Sequence, residues 1–176
     1  ADTLFDIDHW RGEGIRVFEA TGLELQLREQ PRQSSRVIAT VRVRPQHQLA
    51  FDDTRYRTVK PGWFVALVPA TVSGRNMGDV SQLSRSGYYS GKFVAITVPV
   101  PAGDRIEYLQ YRAEGTCFVR MGGFVIDADP CPIDHGAEFR LEARPETEWW
   151  IHVVIGEDPK GWLLVGETAK VVDRKD

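Results

Sequence analysis

Apolar residues in this chain return at every second position, and that period decides the class of fold. Leu23, Leu25 and Leu27 form one series, Val37, Ala39, Val41 and Val43 a second, and Phe93, Ala95 and Thr97 a third. Successive side chains of a strand point to opposite faces, so the alternation describes half-buried strands; a helix would repeat its apolar positions at three and four. Gly, Pro, Asn, Asp and Ser break the series into short runs, with 16 Gly and 10 Pro in the chain. An all-β barrel or sandwich class follows. Helical turns are expected only on the approach to His9-Trp10 and over 78–85, where Asp79 is able to cap.

At 176 residues the chain makes one ordinary domain or two small ones. Its longest apolar run, 93–102, holds two prolines and falls far short of the roughly 18 to 20 residues that cross a bilayer, so no membrane span is expected. A net charge of −3, without Arg-Gly repeats or a single-strand aromatic signature, argues against nucleic acid as a partner. The charge is uneven along the chain. Residues 1–100 carry 13 basic and 10 acidic side chains, and residues 101–176 carry 9 and 15, so the two parts are expected to meet different surroundings.

One pattern recurs: a Pro and a Gly just before a Trp that opens an apolar strand. The copies are Pro61-Gly62-Trp63-Phe64-Val65 and Pro159-Lys160-Gly161-Trp162-Leu163. The glycine is expected to permit a tight turn and the Trp to cap a small barrel with a thin core.

The segment from Leu23 to Val41 resembles the opening of bacterial Src-homology-3-like domains: a strand ending in Leu27-Arg28, a loop with Pro31, Ser34 and Ser35, then Val37-Ile38 and a small residue. Gly62-Trp63 continues that pattern, and Trp149-Trp150 through Gly161-Trp162 repeats its end, with Leu109 to Ala113 as a degenerate start. The resemblance implies two small Src-homology-3-like barrels in tandem with an elaborated connecting segment, at 13–100 and 101–176. It also implies a non-enzymatic module that binds a peptide, a cell-wall fragment or an envelope protein.

Cys117 and Cys131 are the two cysteines, and Ala1-Asp2-Thr3 resembles a mature end left by signal-peptide cleavage. Together they point to one disulfide and a periplasmic or secreted location; the other reading is two buried thiols in a reducing compartment. Asp127, Asp129, Asp134 and His135 gather carboxylates and an imidazole, but Cys131 and Pro132 stand where a calcium loop needs an oxygen ligand and a glycine, so a solvated turn is expected and no metal. Gly87 to Gly91 misses a nucleophile elbow by one residue, and no phosphate loop is present. His152 is read as a packed histidine, not a base. No catalytic residue and no cofactor are expected. The alternatives are an envelope hydrolase using a thiol or a metal, with Cys117 near His135 or His152, and a structural assembly protein that pairs subunits through aromatic faces.

Binding chemistry is most visible between Arg28 and Lys60, where eight basic residues meet three acids. Guanidinium forks suit carboxylates. The resemblance implies a ligand groove between the loop after the first strand and the loops near the Gly-Trp strand, and so contacts from Arg28, Arg55, Tyr56, Arg57 and Trp63, an aromatic floor with arginine walls for an acidic peptide or a cell-wall carboxylate. The alternative is a solvated basic face. Tyr88-Tyr89 and one of Trp149 and Trp150 are further candidates for exposed rings, unless these rings seal an interface between modules.

Overall fold

The alternating series fall on strands at Glu24–Arg28, Val37–Arg42 and Val94–Val100, as the all-β reading requires, and Phe93 lies outside the described residues. A computed structural model describes residues 5–7, 17–78, 94–112, 114–134, 136–157 and 159–172. The turns expected near His9-Trp10 and after Gly78, the Tyr88-Tyr89 pair, the Gly87–Gly91 stretch and His135 lie outside these residues. Among the described residues there are fifteen strands: β1 (Phe5–Ile7), β2 (Val17–Ala20), β3 (Glu24–Arg28), β4 (Val37–Arg42), β5 (Gln48–Lys60), β6 (Gly62–Ala66), β7 (Ala70–Gly78), β8 (Val94–Val100), β9 (Arg105–Tyr111), β10 (Cys117–Met121), β11 (Phe124–Ala128), β12 (Phe139–Ala143), β13 (Glu146–Val154), β14 (Lys160–Leu164) and β15 (Ala169–Val172). One 3-10 turn, Pro132–Asp134, is the sole helical element among them. The strands form two antiparallel sheets, ordered β15-β2-β5-β13-β14-β3-β4 with β1 on β5, and β12-β6-β9-β10-β11-β7-β8.

The chain divides into two compact units, and the division is not the expected one at residue 100. One unit is interrupted in sequence, Asp8–Tyr56 with Glu148–Asp176; the other combines Ala1–Ile7 with Arg57–Thr147, the segment inserted between those two stretches, and is called the inserted unit for it. Strand pairing is the cause. In the interrupted unit Trp162 on β14 is the register partner of Arg28 on β3, so the end of the chain completes the sheet begun by residues 24–42. In the inserted unit β6 pairs with β9 and β12, which takes Trp63 away from the hairpin that precedes it in sequence. The two segments that best resemble a Src-homology-3-like domain, 23–41 and 149–162, thus belong to one unit, and Trp63 and Trp162 are not equivalent positions of consecutive modules.

Each unit has its own core. Phe18, Leu25, Leu27, Leu49, Ile151, Val153 and Leu163 fill the interrupted unit, and the Phe18 ring meets Phe51 and Trp149 edge-on at 4.9 and 5.3 Å. Phe64, Val72, Ile106, Tyr108, Val119, Ile126 and Phe139 fill the inserted unit, where Phe64 stacks on Tyr108 at 4.6 Å. Burying each such side chain contributes about 1.5–3 kcal/mol, so either core is a substantial driving force by itself. The charge asymmetry vanishes on this division. Counted over the chain segments of each unit, the interrupted unit has 12 basic and 13 acidic residues and the inserted one 10 and 12, for −1 and −2. Discontinuous units draw on both halves of the chain and so mix their charges.

The recurring glycine also has a different role from the expected turn. Gly62 and Gly161 lie within β6 and β14. A Cβ at Gly62 would collide with the backbone of Ala143 to Pro145, and one at Gly161 would lie 2.7 Å from Leu27 Cβ and 3.1 Å from the Arg28 carbonyl oxygen. Both glycines let a second backbone approach a strand closely.

Candidate functional site

The structure does not assemble the five expected ligand residues into one exposed groove. Arg28, Arg55 and Tyr56 belong to the interrupted unit, Arg57 and Trp63 to the inserted one. Arg28 Nη1 donates to the Ser35 carbonyl at 2.7 Å, and Ser35 Oγ accepts from the Gln30 amide at 2.9 Å, so this arginine ties its own Pro-Ser loop. Arg55 is 8% exposed and lies 3.9 Å from Asp53, Tyr56 is 9% exposed with its ring 6.5 Å from that of Trp149, and Arg57 is 2% exposed. Side chains enclosed to this degree cannot wall a solvent-filled groove. Arg36 is paired with Glu29 and Lys60 with Glu146, so much of the basic stretch is answered within the chain. Trp63 lies beside a different arginine, Arg105, whose guanidinium is over its ring.

Around Trp63 the inserted unit builds a polar face by alternation. Phe64, Ile106, Tyr108, Val119 and Phe139 turn to the core, so their neighbours Trp63, Arg105, Glu107, Arg120, Arg140 and Glu142 occupy the opposite face. Register then sets the rows: Trp63 is opposite Glu107, Glu107 opposite Arg120, and Val65 opposite both Arg105 and Arg140. The Arg105 guanidinium lies over the Trp63 ring, 4.6 Å from its centroid. Arg105 Nε donates to Glu142 Oε2 at 2.9 Å, the other oxygen of Glu142 is 3.6 Å from Arg140 Nη2, and Arg120 Nη1 donates to Glu107 Oε2 at 2.9 Å. Glu107 and Arg120 are a directly opposite pair of unlike charge, as cross-strand pairing favours. Beside them opens a groove of about 330 Å³, lined by Trp63, Pro99, Arg105, Glu107, Met121 and the Gly122-Gly123 turn, among others. Both glycines of that turn have positive φ, 57° and 85°, both are exposed, and among the described residues no atom lies within 4 Å of where a Cβ would stand on either.

Arg105, Glu107 and Arg120 were not singled out by sequence reading. The signal was present in the alternation Arg105-Ile106-Glu107-Tyr108, which marks a strand with one charged face. What placed that face beside Trp63 is the pairing of β6 with β9, and nothing local encodes it.

Other chemistry is held in structural roles. Cys117 and Cys131 are joined in a disulfide with Cα atoms 5.1 Å apart, and with both sulfurs bonded neither carries a thiolate. It ties β10 to the loop before the 3-10 turn, where the Cys131 amide also donates to the Gly115 carbonyl at 2.6 Å. His152 Nδ1 lies 2.5 Å from Asp52 Oδ1 and its ring packs 5.1 Å from that of Trp162, a satisfied histidine as expected. Trp150 is 1% exposed and donates to Glu148 Oε2 at 2.8 Å, while Trp149 is half-buried against the core, so neither stands open as a platform. Asp127, on β11, accepts from Arg112 Nη1 at 2.6 Å, yet burial outweighs the nearby Arg112 and Arg75 and pushes its carboxyl pKa up. Among the described residues no three His, Cys, Asp or Glu side chains gather as metal ligands.

The fold and this groove define an all-β protein with two antiparallel sheets, a disulfide and an aromatic-arginine surface site. Compared with known proteins, the chain matches no family model, no curated protein and no solved structure.

Proposed function

We propose that the protein is a non-enzymatic binding module of the bacterial envelope that recognises peptide or peptidoglycan-like ligands in the Trp63 groove. The observation that carries this reading is the indole of Trp63 under the Arg105 guanidinium, beside a groove with an apolar wall of Pro99 and Met121 and an uncovered glycine turn. Such a site offers stacking, a charged fork and exposed backbone, the elements that short peptides use. The Cys117–Cys131 disulfide is compatible with a periplasmic or secreted location, where such bonds persist. The resemblance to bacterial Src-homology-3-like domains is supported by the neighbouring positions of β3 and β14 in one sheet, since both segments that carry it meet there. No helix among the described residues is long and apolar enough to cross a membrane.

Calorimetric titration of the intact protein with soluble cell-wall fragments and with short peptides tests the reading. Saturable binding to at least one of them, abolished or weakened about tenfold in Trp63→Leu, is expected. Absence of saturable binding by any of them, or equal binding by the variant, overturns it.

A further inference from the structure

We infer that the Trp63 groove selects a free carboxylate, held by Arg105, and so prefers peptides by their unblocked C-terminus. The inference rests on the binding reading above and names the chemical group that the site takes.

Arg105 is restrained on two sides. Its Nε is committed to Glu142 at 2.9 Å, and the plane of its guanidinium is supported by the Trp63 ring at 4.6 Å. Its two terminal amino groups have no partner among the described residues, and the side chain remains 53% exposed. A guanidinium fixed at one edge and one face, with its remaining N–H groups open, is a pre-organised fork for a planar oxyanion, because little rotamer freedom is left to lose on binding. Arg120, the other groove arginine, is drawn to Glu107 instead, so the two cations are not equivalent.

The surroundings decide which anion fits. Arg105, Arg120 and Arg140 are matched by Asp104, Glu107 and Glu142, so the six nearby charges sum to zero. A carboxylate with a single charge matches the one open guanidinium, whereas the second charge of a dianion meets only arginines already paired to Glu107 and Glu142. Pro99 and Met121 supply an apolar wall for the side chain that precedes the terminal group, and the Gly122-Gly123 backbone is open to hydrogen bonding with the peptide. An acidic polypeptide, expected from the basic stretch 28–60, is therefore not the preferred ligand of this site.

The test compares acetyl-Ala-Ala-Ala as the free acid with its C-terminal amide, by calorimetry on the intact protein, alongside the cell-wall fragments. The free acid is expected to bind at least about tenfold more tightly, the advantage of a charge-assisted hydrogen bond. That difference should disappear in Arg105→Gln and shrink in Arg105→Lys, which keeps the charge and loses the fork, and inorganic phosphate should not compete. Equal affinities for acid and amide, an undiminished preference in Arg105→Gln, or competition by phosphate overturns the carboxylate inference while leaving the Trp63 groove as a binding site. Binding of fragments with no response to either peptide also overturns it. No binding of any probe removes both readings.

Discussion

Trp162 and Arg28, far apart in sequence, are direct register partners on β14 and β3 of one unit. This pairing is possible because Gly161, the residue before Trp162, lets β14 press against Leu27 and the Arg28 backbone. That contact joins the two chain segments of the interrupted unit in one sheet, and the intervening 57–147 segment belongs to the other unit.

Substituting the close-approach glycines should therefore be costly. Gly62→Ala places a methyl group into backbone that has no freedom to retreat, and Gly161→Ala presses on Leu27 Cβ and the Arg28 carbonyl. Overpacking of this kind costs about 1–3 kcal/mol, and the Gly62 variant should lie at the upper end or above it. Urea midpoints for both variants, with Gly22→Ala as a comparison where the added methyl makes only ordinary contact with the Glu24 backbone at 3.9 Å, check the order.

Removing the disulfide should lower stability while leaving the sheets recognisable. The bond spans a sequence separation of 14, and closing a loop of that size is worth about 3 kcal/mol on the chain-entropy estimate. Thiol counting under denaturing, non-reducing conditions should find no free thiol in protein from an oxidising compartment. The Cys117→Ser, Cys131→Ser double variant should show a reduced midpoint at unchanged far-ultraviolet dichroism.

The pH dependence of stability should carry the mark of Asp127. Its carboxyl has a higher pKa folded than unfolded because burial penalises the charge more than Arg112 relieves it. The folded state then binds the proton more tightly than the unfolded chain does. Asp127 therefore favours folding most below the ordinary aspartate value, and that contribution is lost as pH rises through the raised folded value. Asp127→Asn should remove this falling component, which appears as a difference between the stability-against-pH curves of variant and parent; identical curves would show that burial does not dominate at this carboxyl.

Arg105 should matter little for folding. Arg105 is 53% exposed on its side chain and its ion pair with Glu142 is largely solvated, so Arg105→Gln should change stability by less than about 1 kcal/mol. Chemical denaturation of this variant, measured beside its ligand titration, separates a lost contact from a lost fold.

Local pattern determined the secondary structure of this protein. The alternation at Leu23 to Leu27 and Val37 to Val43 specified β3 and β4, and two cysteines in a β-rich chain specified their own pairing, because both signals depend on residues close in sequence or without competitors. Tertiary structure decided the rest. Which strands become neighbours is a matter of long-range pairing, and the same Gly-Trp pattern joins one sheet at Trp162 and a different one at Trp63. Charge patterning misled for a related reason: Arg55 and Arg57 look exposed in a polar stretch, yet the fold encloses them, while Arg105 becomes available because β6 pairs with β9. A strand's sequence states which side chains share a face; only the packing of the sheets states whether that face meets water.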